Sequence, residues 1–140
     1  MKSMDILIDT NVLINYLTNR EDPFLEESIQ IMKLCACDAI HGYYAFHSLS
    51  TIWYVLRKWP DSRKRDALQG LCSILSSVAP DNHAIMDAIH DDSVADFEDC
   101  LQIKCAEAAG VDAIVTCNIG DFKNSSLMAV TPAELLKLLA

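Results

Sequence analysis

The sequence predicts an α/β fold, a three-layer α/β/α sandwich with a central, mostly parallel sheet of about five strands. Two observations point to this fold class. Short apolar segments of strand length alternate with amphipathic segments of helix length along the chain, and this alternation is typical of crossover connections between parallel strands. The chain has 140 residues, of which 51% are hydrophobic, so we expect one domain over residues 1–140 with a single core.

Each apolar segment that we interpret as a strand precedes a helical pattern of apolar residues. The first, ILI at residues 6–8, ends in Asp9-Thr10-Asn11, and the helical spacing resumes at once. We predict the strands over residues 6–8, 42–46, 77–79, 113–116 and 128–130. We predict the helices to begin at Asn11, Pro23, Ser50, Ser62, Asn82, Phe97 and Pro132, where caps or turn residues precede the helical spacing.

Several classes of protein are excluded by features that the sequence lacks. No apolar stretch approaches the roughly 20 residues that span a bilayer, and the N-terminus lacks the pattern of a signal peptide, so we expect a cytoplasmic protein that does not enter a membrane. Its six cysteines are then expected to be reduced residues of the apolar core. With four glycines, no Walker A sequence and no dinucleotide fingerprint, the chain is not expected to bind a nucleotide cofactor.

Positive charge is concentrated in one segment of an otherwise acidic chain. The formal net charge is −9, yet five of the eleven basic residues lie in the segment RKWPDSRKR, namely Arg57, Lys58, Arg63, Lys64 and Arg65. Trp53, Tyr54 and Trp59 lie in or just before this segment, so it combines the cations and rings that bind single-stranded nucleic acid. The alternative interpretation is a solvated helix end and a turn around Pro60.

Acidic residues occur at three places where predicted strands or loops lead into helices. Asp9 follows the first strand, Asp96 and Asp99 lie at the start of the helix in ADFEDCLQIKCAEAAG, and Asp121 follows a strand in DAIVTCNIGDF. Each acid alone has an ordinary structural use as a helix cap or a turn residue. Together they would place like charges at one end of the same sheet, where they repel one another unless a cation joins them.

Mg²⁺ and Mn²⁺ suit such oxygen ligands, because they bind through a few carboxylates together with water and substrate phosphate oxygens. Either ion can lower the pKa of a bound water and offset charge on phosphorus, so we predict phosphodiester hydrolysis. The four histidines show no triad-like pattern. A phosphatase with an aspartyl nucleophile is disfavoured, because Asp9 lacks a paired acid two residues later.

Four segments, taken in order, carry a resemblance to a known family: ILIDTNVLINYL, GYYAFHSLSTIWYVLRK, DFEDCLQIKCAEAAGVDAIVTCNIGDFKNS and VTPAELLKLL. They resemble the PIN-domain nucleases, which include the toxins of many bacterial toxin–antitoxin pairs. The resemblance implies a metal-dependent endoribonuclease that cleaves single-stranded RNA with Mg²⁺ or Mn²⁺ at the carboxyl edge of the sheet. It also implies a homodimer and a neutralising antitoxin as a partner.

The resemblance assigns roles to individual acidic residues. Asp9, Asp99 and Asp121 resemble the first, third and fourth acids of the family's metal site. Asn11 resembles the polar residue that supports the first acid. Asp96 precedes Asp99 by about one helical turn, and we expect it to act either as a further ligand or as a partner of one.

The family's second acid is absent from this chain. Alignment by eye places Thr51 at that position, and residues 39–60 contain no aspartate or glutamate. A threonine hydroxyl can hold water or substrate but brings no negative charge to a Mg²⁺ site. Thr116 and Asn118 match the polar positions after the fourth strand, where the family uses a hydroxyl to orient the first acid.

Three outcomes are compatible with the missing acid. The chain is an active nuclease with a reduced site, or it borrows another acid such as Asp92 or Asp96, or it binds RNA without cutting it. The first two predict a ribonuclease in which the basic segment binds substrate. The third predicts a catalytically impaired module for RNA binding or protein interaction.

Overall fold

Five parallel strands form one sheet in the computed structural model, which describes residues 3–94 and 96–140. Their order across the sheet is β3-β2-β1-β4-β5, and every neighbouring pair is parallel. The chain thus builds outward from β1 in one direction and then returns to the other side of β1 for β4 and β5. The strands are β1 (Asp5–Ile8), β2 (His41–Ala45), β3 (Ser76–Val78), β4 (Ala113–Val115) and β5 (Met128–Val130).

Helices cover both faces of this sheet. Among the residues that the structure describes, none of the helices is both long and apolar enough to cross a membrane. The helices are α1 (Thr10–Thr18), α2 (Leu25–Ala36), α3 (Ser48–Val55), α4 (Asp61–Ile74), α5 (Asn82–His90), α6 (Phe97–Ala109) and α7 (Pro132–Leu139), and one 3-10 turn spans Ile119–Phe122.

Two apolar clusters, one on each face, form the core. Alternate residues of β1 point to opposite faces, so Ile6 and Ile8 pack in one cluster and Leu7 in the other. The first cluster includes buried residues of α1, α2, α3 and α7, and the second packs mainly against α6. Because both faces are covered, residues 6–8 of β1 and all three residues of β4 are apolar and buried, as is typical of parallel sheets.

The predicted fold class is confirmed, since a five-stranded parallel sheet lies between layers of helices. Each strand lies within one residue of its predicted range. The predicted helix starts differ from the observed ones by at most two residues, and the largest differences are at α2 and α3. Ser48 therefore belongs to α3, although the sequence placed it in the preceding loop.

Local capping fixes the starts of the helices that border the candidate site. The Asp9 carboxylate accepts a hydrogen bond from Thr10 N at the start of α1, and the Asp96 carboxylate accepts one from Asp99 N at the start of α6. α6 ends at Gly110, whose φ of 66° lies in the left-handed region that favours glycine. These two aspartates thus set where the chain turns from the sheet edge into a helix.

Candidate active site

The candidate site lies at the carboxyl edge of the sheet, where the chain order switches from β1 to β4. β1 and β4 are neighbours with Ile8 opposite Val115, so the next residues, Asp9 and Thr116, leave the sheet side by side. Open α/β sheets bind ligands at such switch points, because the loops on either side diverge and leave a crevice. The topology therefore places Asp9 where a ligand has access to the sheet edge.

Asp9 is nearly buried and is held by two hydrogen bonds. Its side-chain Oδ1 accepts from Thr10 N at 2.9 Å, and its Oδ2 accepts from Thr116 Oγ1 at 3.0 Å. Thr116 is fully buried and its hydroxyl also accepts from Asn118 N at 3.1 Å. The Thr116 hydroxyl therefore fixes the orientation of the Asp9 carboxylate and of the loop that follows β4.

Three further carboxylates cluster at the start of α6. Oxygen atoms of Asp96, Glu98 and Asp99 lie within 4.8 Å of one another. Asp96 is exposed and caps the helix through a 3.1 Å bond from Asp99 N to its Oδ1, whereas Glu98 and Asp99 are half-buried. α6 packs against β1 and β4, which brings this cluster to the same edge as Asp9.

The pKa values show that these carboxylates act on one another. Burial is the main cause that raises the pKa of Asp9 to about 6, and the charges of Glu98 and Asp121 raise it further. Burial also raises the pKa of Asp99 to about 7, with added repulsion from Asp96, Asp121, Asp9 and Glu98. Asp9 and Asp99 thus each lie within reach of other negative charges at this edge of the sheet.

Glu98 is a site residue that the sequence prediction missed. Its Oε1 accepts hydrogen bonds from His47 Nε2 at 3.1 Å, Gln102 Nε2 at 3.0 Å and Thr10 Oγ1 at 3.2 Å. The bond from His47 is the largest cause that lowers the pKa of Glu98, so this carboxylate is charged at neutral pH. The four-residue spacing of Glu98 and Gln102 on one helix face was the only sequence signal for it.

A network of buried polar side chains lies beneath the acids and connects three helices. The hydroxyls of Thr10 and Ser48 are 2.7 Å apart, and Gln102 Nε2 donates to Thr10 Oγ1 at 2.8 Å and lies 3.1 Å from Ser48 Oγ. These side chains come from α1, α3 and α6. The network therefore ties together the three helices whose first turns carry or border the acids.

Thr51 lies one turn after Ser48 on α3, so both residues share a side of that helix. Its side chain is exposed and makes no hydrogen bond within the described part of the chain. Asn11, in the first turn of α1, and Asn118, which precedes the 3-10 turn, are also exposed. Asp121 lies in that turn, where its charge reaches both Asp9 and Asp99.

The basic segment differs from its prediction in one respect. Lys64 is only 5% exposed, because its ammonium lies 3.1 Å from Asp61 Oδ1 and 3.8 Å from the Trp53 ring. The guanidinium groups of Arg57 and Arg63 lie over Tyr54 and Trp59 in the same manner. The aromatic rings thus bind the chain's own cations, and Lys64 is not a free phosphate contact.

The remaining cations of this segment, Arg57, Lys58, Arg63 and Arg65, are exposed. α4 runs from Asp61 to Ile74, and 14 residues of helix span roughly 21 Å. β3 begins directly after α4, at the amino edge of its parallel sheet. The end of α4 therefore lies next to the amino edge of the sheet, and Arg63 and Arg65 lie in the first turns of this helix, away from that end.

The acidic residues fit a divalent cation. Burial and mutual repulsion keep Asp9 and Asp99 partly protonated near neutral pH, and a bound cation would remove both penalties. The donor set consists of carboxylate, hydroxyl and amide oxygens, which suit Mg²⁺ or Mn²⁺ better than a softer metal. Among the described residues, Asp96, Glu98 and Asp99 have carboxylate oxygens within 4.8 Å of one another, and the charges of Asp9 and Asp121 also act on Asp99.

Comparisons with known proteins agree with this fold. A family model described as "PIN domain" matches residues 5–120. One similar solved structure is VapBC2 from Rickettsia felis bound to a promoter DNA fragment, with a TM-score of 0.68 and 16% identity over 91% of this chain and 98% of that chain. Another is VapC20 of Mycobacterium tuberculosis, a toxin that cleaves the Sarcin-Ricin loop, with a TM-score of 0.67 and 18% identity over 91% of this chain and 99% of that chain. FitAcB from Neisseria gonorrhoeae is also similar, with a TM-score of 0.64 and 17% identity over 91% of this chain and 98% of that chain. No curated relative matches the chain significantly.

Proposed function

This chain belongs to the PIN-domain family, and we propose that it is a metal-dependent endoribonuclease that hydrolyses phosphodiester bonds in single-stranded RNA. One observation carries the proposal. Asp9, the adjacent pair Glu98 and Asp99, and Asp121 come from three separate parts of the chain and meet at the carboxyl edge, where the pKa values of Asp9 and Asp99 are raised. Side chains brought together against their own repulsion are a signature of a functional site.

We assign the metal-holding role to Asp9, Asp99 and Asp121, with Asp96 as a further ligand or as the helix cap that orients Asp99. A bound Mg²⁺ or Mn²⁺ would lower the pKa of an attacking water and offset negative charge on the phosphoryl group. Thr116 holds Asp9 in place through its 3.0 Å hydrogen bond. We assign the support of neighbouring ligands and water to the exposed polar residues Asn11 and Asn118.

Glu98 compensates for the missing second acid in this proposal. Thr51 contributes a hydroxyl but no charge, whereas Glu98 adds a carboxylate that His47 keeps ionised. The site then holds as many acids as the family pattern requires, one of them from α6 instead of α3. We assign Thr51 to contact with substrate at the rim of the site.

The basic segment supplies the phosphate contacts in this account. Arg57, Lys58, Arg63 and Arg65 are exposed, and we propose that they attract the RNA backbone on either side of the cleaved bond. Lys64 instead supports Trp53 and the start of α4. RNA binding therefore depends on a local cationic surface within a chain of net charge −9.

A second candidate function is a non-catalytic PIN module that binds RNA or a protein. The exposed, uncharged Thr51 favours it, because the family's second acid is absent from α3. In that case the basic segment would bind RNA and the acids would hold a cation only weakly. The two functions differ in whether chelation abolishes cleavage or leaves a binding activity unchanged.

We also propose that this chain is the toxin of a toxin–antitoxin pair, with a homodimer and a neutralising antitoxin as its assembly. The similar VapBC2 and FitAB structures, both solved with a bound DNA fragment, support this proposal. A cytoplasmic location, which we expect from the sequence, is part of this proposal. Copurification of the chain with the product of an adjacent gene would test the partner.

A cleavage assay tests the proposed function. Purified protein is expected to cut a fluorescent single-stranded RNA in Mn²⁺ or Mg²⁺, to stop when a chelator is added, and to resume when metal is restored. Asp9→Asn should abolish cleavage, because it removes a charge that holds the ion while keeping the side chain's size. Asp112→Asn, an exposed aspartate at the opposite edge of the sheet, is the matched control and should retain activity. Cleavage that persists in chelator would contradict the proposal.

A further inference from the structure

An apolar groove opens beside the acidic cluster and is not used by the proposed chemistry. It has a volume of about 250 Å³ and lies between the β2–α3 turn, the start of α5 and the first turns of α6. Two of its aromatic side chains face solvent, since Phe46 is 63% and Phe97 is 48% exposed. Its other side chains include His47, Pro80, Ile85 and Leu101.

The groove is continuous with the candidate site. Phe97 directly precedes Glu98 and Asp99 on α6. His47, which lines the groove, donates a hydrogen bond to Glu98 at 3.1 Å. A ligand that binds at Asp99 through one of its groups can therefore place the neighbouring group in the groove.

We propose that this groove is a nucleobase subsite, in which a base next to the scissile phosphate stacks on Phe97 and Phe46. This inference rests on the proposed function, because it assumes that RNA is the ligand at the acids. Bases stack on exposed aromatic rings in single-strand binding proteins irrespective of sequence. A cavity of about 150 Å³ admits benzene, so about 250 Å³ is enough for a larger planar base.

The chemistry of the lining favours a base over the other parts of a nucleotide. Among the residues that the structure describes, no carboxylate or permanently charged cation lines the groove, so it offers nothing to a phosphate and costs little to fill with an uncharged ring. His47 is the polar group at its wall, and it gives a base one hydrogen-bonding partner. A stable protein interface buries about 800 Å² on each partner. In the described part of the chain, this groove is bounded by the acidic cluster and does not extend into a larger apolar surface there.

Stacking can be measured with RNA oligonucleotides that carry 2-aminopurine at one position. Binding is measured in Ca²⁺, and gel electrophoresis verifies that the RNA remains intact. The wild-type protein is expected to quench the 2-aminopurine fluorescence at one position and to bind the matched RNA with an abasic nucleotide there about tenfold more weakly. Phe97→Ala and Phe46→Ala should remove most of the quenching and raise the KM for RNA.

Two controls separate stacking from general damage. Phe97→Leu keeps an apolar side chain but removes the ring, and it should still lose the quenching. Leu138→Ala removes an equally exposed apolar residue on α7 and should bind RNA as the wild type does. Circular dichroism and thermal melting confirm that each variant is folded.

The outcomes distinguish this inference from the proposed function. If the wild type cleaves RNA but no phenylalanine variant changes quenching or KM, the inference is overturned and the nuclease function stands. If the wild type does not cleave but quenching depends on Phe97, the subsite stands and the chain is a binding module. If the phenylalanine variants change only self-association in light scattering, the groove binds a second copy and the inference is overturned.

Discussion

At the residue scale, the pKa values of Asp9 and Asp99 determine how the metal-free protein responds to pH. Their values of about 6 and about 7 lie above the ~3.9 of an unfolded aspartate. The folded state therefore retains protons that the unfolded state has already released. Over that interval each rise in pH favours unfolding, and above it the effect is complete.

We predict that the thermal stability of the chelated protein falls as pH rises from about 5 to about 7.5. Asp99→Asn removes one of the groups responsible, so its melting temperature should fall less over the same interval and should exceed the wild-type value at the upper end. Differential scanning calorimetry in chelator measures both. Identical pH profiles for the wild type and Asp99→Asn would show that Asp99 is not destabilised by its neighbours.

Thr51 offers a cation a hydroxyl, whereas Glu98 offers it a carboxylate. Adding a charge at residue 51 and removing the charge at residue 98 tests whether Glu98 replaces the missing second acid. Thr51→Glu should tighten Mn²⁺ binding by about tenfold, because it adds a charged oxygen ligand to the set. Glu98→Gln should weaken it by about tenfold or more. Isothermal titration calorimetry with Mn²⁺ gives both affinities. Thr51→Gln, which adds length without charge, is the control, and equal affinities for it and Thr51→Glu would show that residue 51 does not face the ion.

Some of these residues could be predicted and others could not. Asp9, Asp99 and Thr116 follow strands or begin a helix, so local pattern and resemblance together located them. Glu98 and Lys64 could not be placed from sequence, because their roles depend on partners far along the chain or on burial against a ring: His47 for Glu98 and Trp53 for Lys64. A charged residue looks the same in sequence whether its partner is a ligand, an ion or another side chain.

At the element scale, the start of α6 combines a helix cap with the acidic cluster. Asp96 accepts a hydrogen bond from Asp99 N, and its charge raises the pKa of Asp99. These two effects depend on different properties of the Asp96 side chain, since capping needs an oxygen acceptor and repulsion needs a negative charge. Asparagine retains the first and removes the second.

We predict that Asp96→Ala destabilises the protein by about 1 kcal/mol, whereas Asp96→Asn leaves the free energy of unfolding nearly unchanged. Urea denaturation measures this free energy. Asp81→Ala is the matched control, because Asp81 caps α5 through the same kind of bond, at 2.8 Å to Ala84 N, and it should lower stability equally without changing Mn²⁺ affinity. A large loss of Mn²⁺ affinity in Asp96→Asn would make Asp96 a metal ligand in its own right.

The strands and the starts of the helices were predictable to within two residues, because capping or turn residues mark most of those starts. α3 shows the cost of the remaining error. The prediction began it at Ser50, whereas it begins at Ser48, and the missed turn contains the hydroxyl that contacts Thr10 and Gln102. The 3-10 turn that carries Asp121 was not predicted, since four residues are too few for a periodic pattern.

At the scale of the whole molecule, charge is distributed so that an acidic protein retains a cationic surface. The net charge is −9, and it would repel RNA unless the exposed arginines and a lysine of the basic segment attract the backbone. Arg57 and Arg63 are held over aromatic rings, which limits their motion. The guanidinium groups of these two arginines are therefore positioned by the rings.

We predict that Arg63→Ala weakens RNA binding uniformly across sequences and reduces the slope of log affinity against log salt concentration by about 1. Fluorescence anisotropy over a salt series measures this slope. Lys137→Ala removes an exposed cation of α7, remote from the basic segment in sequence, and should leave the slope unchanged. Equal slopes for wild type and Arg63→Ala would remove the basic segment from the substrate path.

The order of the strands brings these parts together, because β1 and β4 are adjacent although more than 100 residues separate them. The most direct test of the account is anomalous diffraction from crystals soaked in Mn²⁺. We expect one strong peak at the carboxyl edge within bonding distance of Asp9 and Asp99. The absence of a peak there, with Mn²⁺ bound elsewhere on the protein, would contradict the metal site on which the nuclease proposal depends.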